Sequence, residues 1–130
     1  MKKTLTLALV ALTLSAGIAV AQDPIEGVWQ TQPDDGAFAH ITLAPCGDKF
    51  CGLISKSFRD GKEFKSANHN KKLVYDMVPQ GGNKYEGKVW RPSNNKVYLG
   101  KMSLSGNVLT MRGCVAGGLI CSKQTWSRVK

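Results

Sequence analysis

The sequence is poor in the groups that most enzymes use. Its 130 residues include only two histidines, His40 and His69, and no H-x-x-x-H pattern. It also contains no G-x-S-x-G elbow, no P-loop and no G-x-G-x-x-G motif. These absences argue against a hydrolase, a nucleotide-binding enzyme and a local metal motif. We therefore expect a protein that is not an enzyme and that holds no cofactor and no metal.

Asp76 and His40 are the side chains with the most catalytic potential. Asp76 has apolar neighbours two residues away on both sides, Val74 and Val78. A carboxylate buried among such neighbours would need a partner or a raised pKa. An enzymatic function would require Asp76 and His40 to lie within hydrogen-bond reach in a pocket. We expect instead that Asp76 faces solvent and that His40 is a partly buried, hydrogen-bonded residue.

Long hydrophobic segments are scarce as well. The apolar run from Leu5 to Leu14 follows Lys2 and Lys3 and precedes Ala-Val-Ala at 19–21. A basic start, a short apolar run and an A-x-A site are typical of a signal peptide. The run is short for a membrane-spanning helix, and no second one follows. We predict a signal peptide at 1–21 and one domain at 22–130, periplasmic or secreted, without a transmembrane segment.

Acidic residues are nearly missing from the second half of the chain. Residues 84–130 contain nine Lys or Arg and one acidic side chain, Glu86, whereas residues 22–83 contain seven basic and eight acidic side chains. Such asymmetry favours contact with acidic surfaces or anionic ligands, although a basic face can also serve solubility alone. Nucleic acid is not expected as a partner, because the aromatic residues form no interleaved stacking stripe.

What is abundant is the pattern of β-structure: short alternating or β-branched segments separated by Gly, Asn, Asp, Ser and Pro. Eight consecutive antiparallel strands remove their exposed edges when they close. The pattern predicts an all-β domain whose eight antiparallel strands close as a single up-and-down barrel or, as the competing closure, as a sandwich. Residues 59–72 are predicted to form a long surface loop. The predicted strands are 26–32, 37–44, 50–58, 73–78, 84–91, 96–104, 108–113 and 123–129.

Two sets of residues resemble known families. Gly27-Val28-Trp29 near the start and Arg128 near the end resemble the pairing in lipocalins and related calycins, where a tryptophan seals the barrel base and an arginine packs over it. Segments along the mature chain are similar to the DUF2147 family of exported bacterial proteins, whose biochemical role is not established. The resemblance implies a lipocalin-like β-barrel, so we favour the single eight-stranded antiparallel up-and-down barrel over the sandwich. The segments are DPIEGVW, APCGDKFCG, YEGKVWRPSNNKVYLGKMSLSGN, RGCVAGGLIC and QTWSRV.

Four cysteines stand in two close pairs, Cys46 with Cys51 and Cys114 with Cys121. In a small exported domain they indicate a disulfide framework, with three connectivities open for four cysteines. In an up-and-down barrel the two pairs lie at opposite ends, and a disulfide requires Cα atoms within about 7 Å. We therefore predict one disulfide within each pair. Zinc and redox sites prefer Cys-x-x-Cys spacing, which neither pair has.

A lipocalin-like arrangement would form its mouth from the segments 33–36, 59–72 and 92–95 and from the bridged turn after Cys114. Basic side chains predominate there, and apolar walls below a basic rim suit a small amphipathic or anionic ligand. Two alternatives stay open. One alternative is a barrel interior that side chains fill completely. The other is an envelope interaction module whose basic C-terminal strands contact acidic polymers or membrane surfaces. The candidate mouth residues are Arg59, Lys62, Lys65, Lys71, Lys72, Arg91 and Lys96.

Overall fold

A computed structural model describes residues 22–130, which form nine β-strands and one short 3-10 turn at Ala116–Gly118. The predicted signal peptide at 1–21 lies outside the described residues. Within 22–130, no helix has the length and apolar character needed to cross a bilayer. The strands are β1 (Gly27–Gln30), β2 (Ala37–Cys46), β3 (Lys49–Arg59), β4 (Lys62–Phe64), β5 (Lys72–Gly81), β6 (Lys84–Arg91), β7 (Lys96–Ser105), β8 (Val108–Val115) and β9 (Ile120–Arg128).

Eight of these strands close into an antiparallel barrel. The ring runs β1, β2, β3, β5, β6, β7, β8 and β9, and β9 pairs back with β1. The predicted all-β barrel is thereby confirmed. The ninth strand, β4, stands outside the ring and pairs with the end of β3 through Ser57 opposite Phe64. The prediction of a long loop at 59–72 is therefore wrong for its first part, which forms a hairpin. The charged sequence of this part shows no strand pattern.

Local turn chemistry fixes the hairpins. Gly82 and Asn83 join β5 to β6, and both have φ of 60°. Positive φ at both central positions is the type I′ geometry that matches the twist of the flanking strands, and Gly and Asn are the residues that adopt it readily. The turn therefore sets the β5–β6 register.

The core fills one end of the barrel, which we call the base. The base holds both ends of the described chain and the turns at 47–48, 82–83 and 106–107, whereas the opposite end, the mouth, holds 31–36, 60–71 and 92–95. Alternate strand residues point inward and meet there. The fully buried side chains are Ile25, Trp29, Ile41, Leu43, Val74, Met77, Met102, Leu109 and Trp126.

The segment before β1 seals the base. Ile25 is fully buried, and its carbonyl accepts a 2.8 Å hydrogen bond from the indole N–H of Trp29. The guanidinium of Arg128 lies 4.3 Å from the centroid of the Trp29 ring. Gly27 has φ of 137°, and a Cβ there would come within 2.5 Å of the Lys130 carbonyl oxygen. The close approach of the two chain ends thus depends on a residue without a side chain.

Two disulfides link neighbouring strands at opposite ends. Cys46–Cys51 joins β2 to β3 at the base, with Cα atoms 5.7 Å apart. Cys114–Cys121 joins β8 to β9 near the mouth, with Cα atoms 4.1 Å apart. The predicted pairing within each couple is confirmed.

Candidate functional site

A cavity of about 630 Å³ opens at the mouth. It lies above the buried core of the base and is partly open to solvent. The volume lies within the range of about 300–1,000 Å³ that is usual for small-molecule sites. The alternative of a solidly packed interior is therefore wrong. The floor and lower walls are apolar and buried, and are formed by Ile54, Leu73, Val89, Met111 and Trp126.

Polar side chains surround the open end of the cavity. They come from the β1–β2 connection, the end of β3, the segment after β4, the β6–β7 turn and the upper part of β9. Apolar floor and polar rim together match a ligand that has one apolar and one polar end. The rim includes Gln32, Asp34, Asp35, Ser57, Arg59, Ser66, Asn68, Arg91, Ser93, Ser122 and Gln124, whereas Lys123, between the last two, lines the cavity with its side chain on the outer face.

One ion pair crosses the rim. Arg91 donates through Nε and Nη2 to the two carboxylate oxygens of Asp34, each at 2.8 Å, and Ser93 Oγ donates to the same carboxylate at 3.2 Å. The hydrogen bond from Arg91 holds the pKa of the Asp34 carboxyl below its ordinary value, and the same pair raises the pKa of Arg91. The positive charge of Arg91 is therefore compensated within the site.

Within residues 22–130, the guanidinium of Arg59 lines the cavity and has no carboxylate partner of this kind. Its Nη1 donates to the Asp35 carbonyl at 3.5 Å, and its guanidinium lies 5.7 Å from the centroid of the Phe64 ring. Neither contact neutralises its charge. Arg59 is therefore the rim group best placed to receive an anion.

The structure brings together two of the seven predicted mouth residues. Arg59 and Arg91 line the cavity, whereas the five lysines do not. Lys65 lines a separate groove of about 360 Å³. Lys62 is exposed on β4, and Lys96 is exposed at the start of β7.

The two adjacent lysines of the set cover aromatic rings. Lys71 Nζ lies 5.9 Å from the centroid of the Trp90 ring, and Lys72 Nζ lies 5.8 Å from that of Tyr75. The bridged β8–β9 turn also departs from its predicted place. It folds against the outer face, where Gly118 approaches the side chains of Leu99 and Lys101.

The match to known families completes this picture. The profile of DUF2147, described as an "Uncharacterized protein conserved in bacteria", matches residues 27–128. This chain belongs to the DUF2147 family. Among solved structures it is similar to the Helicobacter pylori protein HP1028, described as belonging to the lipocalin family, with a TM-score of 0.69 and 19% identity over 84% of this chain and 85% of that one. No curated protein matches. The likeness shows a shared lipocalin-like fold.

The catalytic pair considered from the sequence does not form in this DUF2147 barrel. His40 Nε2 hydrogen-bonds Gln30 Oε1 at 3.1 Å, and its ring packs against Phe58, 4.8 Å between centroids. Asp76 is exposed, as expected, and lies beside the Cys46–Cys51 disulfide, whose bonded sulfurs are not available as metal ligands. Neither His40 nor Asp76 lines the cavity.

Sequence reasoning missed the contribution of β9 to the site. Ser122, Lys123 and Gln124 line the cavity although no motif marks them. One signal was present: in Gln124-Thr125-Trp126 the alternation places Gln124 on the same inward face as the buried Trp126. That spacing predicts a polar group directly above an apolar floor.

Proposed function

We propose that this DUF2147 barrel is an exported, non-enzymatic binder of a small amphipathic ligand, held with its apolar part on the cavity floor and a polar or anionic group at the rim. The cavity of about 630 Å³ carries the proposal, because it combines buried apolar walls with polar groups confined to its open end. A periplasmic or secreted location is part of the proposal. Two disulfides support it, because such bonds persist in oxidising compartments.

The anionic group is assigned to Arg59. Arg91 is paired with Asp34, so that an incoming anion would compete with an existing carboxylate there. Dodecanoate and dodecanol make a matched pair of probes, since they share a tail and differ in charge. We expect dodecanoate to bind more tightly, and Arg59→Gln to remove most of the difference while leaving dodecanol binding unchanged.

Native mass spectrometry of protein purified from its own envelope tests the cavity itself. We expect a retained small molecule that organic extraction releases. Gly113 lines the cavity, and a Cβ there would lie 3.5 Å or more from its neighbours, so Gly113→Ala should keep the ligand. Gly113→Leu places a larger side chain in the same space and should lose it. A mass without ligand for the wild type, together with no binding of either dodecyl probe, would overturn the proposal.

The envelope module is the second candidate. The observation that favours it is an outward row of cations on the C-terminal strands, in which Lys101 is opposite Arg112 and Arg112 is opposite Lys123. Binding to phosphatidylglycerol vesicles that weakens with salt and is unaffected by Gly113→Leu would support it over the cavity ligand.

A further inference from the structure

The seam between β1 and β9 closes only the lower part of the barrel. β1 pairs with β9 at Trp29–Arg128 and Gln30–Ser127, whereas β8 follows β9 over its whole length up to Ile120. Within residues 22–130, the upper part of β9 therefore has a strand neighbour on one side alone. We call residues 121–125 of β9 the open edge.

The backbone groups of alternate residues point out of this open edge. Cys114 and Cys121 are opposite each other with Cα atoms 4.1 Å apart, the short spacing of a pair whose N–H and C=O groups point away from each other. Lys123 and Thr125 share that orientation, since they are two and four residues farther along the strand. The Thr125 N–H accordingly donates to the side chain of Gln32 on the β1 side, at 3.0 Å.

Lys123 is left with two unpaired backbone groups. Its N–H and C=O face the gap, and the part of the chain that the structure describes offers no backbone or side-chain partner for either. An unpaired strand edge is a template for another extended chain. The edge is accessible, because Cys121, Lys123 and Thr125 are all exposed.

The gap leads into the cavity. Gln32 and Pro33 form one margin, Ser122 and Gln124 form the other, and all four line the same cavity. A strand added to the open edge would point alternate side chains into that cavity and the others outward. Main-chain hydrogen bonds would then supply affinity, and the cavity would select the inward side chains.

The outer face beside the gap carries a row of like charges. Lys101, Arg112 and Lys123 are direct cross-strand neighbours on β7, β8 and β9. Like charges in these positions repel one another, and an opposite charge in the next position is favourable. On an added strand, the residue opposite Lys123 occupies that next position.

We propose that the open edge binds an extended acidic peptide segment of another protein by strand addition. The segment pairs with residues 121–125, an acidic side chain lies opposite Lys123, and the apolar residues on either side of it enter the cavity. A second copy of this chain fits less well, because two antiparallel open edges would bring their Lys123 side chains together. The proposal does not require the small ligand, but both would occupy the same cavity.

Four short peptides test the proposal. Acetyl-Ser-Leu-Glu-Leu-Ser-amide is the probe, and the same peptide with Phe for Leu varies the inward side chains. A version with Lys for Glu reverses the outward charge. A version N-methylated at Glu lacks the N–H that would reach the Lys123 carbonyl. We expect the Leu and Phe peptides with unmodified Glu to slow amide hydrogen exchange at Cys121 and Lys123 and to bind about tenfold more tightly than the Lys version. The N-methyl version should not bind.

Two variants of Lys123 separate charge from backbone pairing. Lys123→Gln keeps the N–H and should bind the Glu and Lys peptides equally. Lys123→Pro removes the N–H on the gap side, which proline tolerates at a strand edge, and should abolish binding of the Glu peptides. Far-UV circular dichroism checks that both variants fold; if Lys123→Pro does not, the N-methyl peptide still decides the matter.

Four outcomes would overturn the proposal. The first is that the N-methyl peptide binds as tightly as the unmodified Glu peptide, and the second is that none of the four peptides changes amide exchange at Cys121 and Lys123. The third is a dimer in sedimentation whose open-edge amides are already protected. The fourth is that the cationic row binds phosphatidylglycerol vesicles while peptide leaves the open-edge amides unprotected. The dimer would assign the edge to a second copy, and the vesicle result would assign the row to a membrane surface.

Discussion

Arg128 and Trp29 lie at the two ends of the domain in sequence and in contact at its base, with 4.3 Å between the guanidinium carbon and the indole centroid. Arg128 also donates to the carbonyls of Pro24 and Glu26 and to the side chain of Asn107. One side chain thus ties the segment before β1, the β7–β8 turn and the last strand together.

Replacing Arg128 should destabilise the base of the barrel. Arg128→Lys keeps the charge but loses the planar group that makes several hydrogen bonds at once, and we expect the free energy of unfolding to fall by about 1–2 kcal/mol. Arg112→Lys on the outer face is the matched control and should change it by less than about 0.5 kcal/mol. Urea unfolding followed by tryptophan fluorescence measures both. Equal stability of the two variants would contradict the role assigned to Arg128.

Each disulfide should stabilise the protein separately. The rings they close are short, six residues for Cys46–Cys51 and eight for Cys114–Cys121, so the chain-entropy model gives about 2 to 2.5 kcal/mol for each. Replacing either pair by alanine should lower the free energy of unfolding by that amount. Because the bonds lie at opposite ends, the four-alanine variant should show the sum within about 0.5 kcal/mol. Non-reducing peptide mapping that joined Cys46 to Cys114 would refute the pairing.

Stability should fall on mild acidification because of His40. Burial lowers the pKa of its imidazole below the ordinary 6.5, and Lys56 lowers it further. The unfolded chain therefore binds this proton more tightly than the folded chain does. The contribution of neutral His40 to the free energy of unfolding is present above pH 6.5 and is lost as the pH falls through the folded pKa. His40→Gln should flatten this part of the pH profile of unfolding. The imidazole resonances should titrate with a midpoint below 6.5, and Lys56→Gln should raise that midpoint.

Two glycines that both face the interior should respond differently to alanine. A Cβ at Gly113 would meet Tyr98 at 3.5 Å, an ordinary contact beside open space, so Gly113→Ala should change stability by less than about 0.5 kcal/mol. A Cβ at Gly52 would lie 2.7 Å from side-chain carbons of Ile41 and Leu43, so Gly52→Ala should cost about 1–3 kcal/mol. Thermal melts of the two variants check this. The reverse order would mean that the free space lies at the Gly52 end.

The sequence revealed the barrel because period-two patterns and turn residues are local signals. The predicted 84–91 strand matches β6 at both ends, and the predicted 96–104 strand stops one residue short of β7. β4 was not predicted, because Lys62-Glu63-Phe64 has too few residues and too few apolar side chains to show alternation.

The site was harder to foresee. The pairing of Arg91 with Asp34 joins residues 57 positions apart, which no local pattern encodes. Because this pair neutralises Arg91, Arg59 is left as the better candidate to bind an anion. The early end of β1 at Gln30, two residues before its predicted end, likewise depends on how Thr31 and Gln32 bond across space. That early end creates the open edge of β9.

Both ends of the described chain meet at the base: the Val28 N–H donates to the Lys130 carbonyl, and the Val129 N–H donates to the Val28 carbonyl. A linker, tag or surface attachment joined to either end would therefore leave from the side opposite the cavity. Molecules tethered in this way would stand with their openings toward solution, and a tag at either terminus would not obstruct a binding measurement at the mouth.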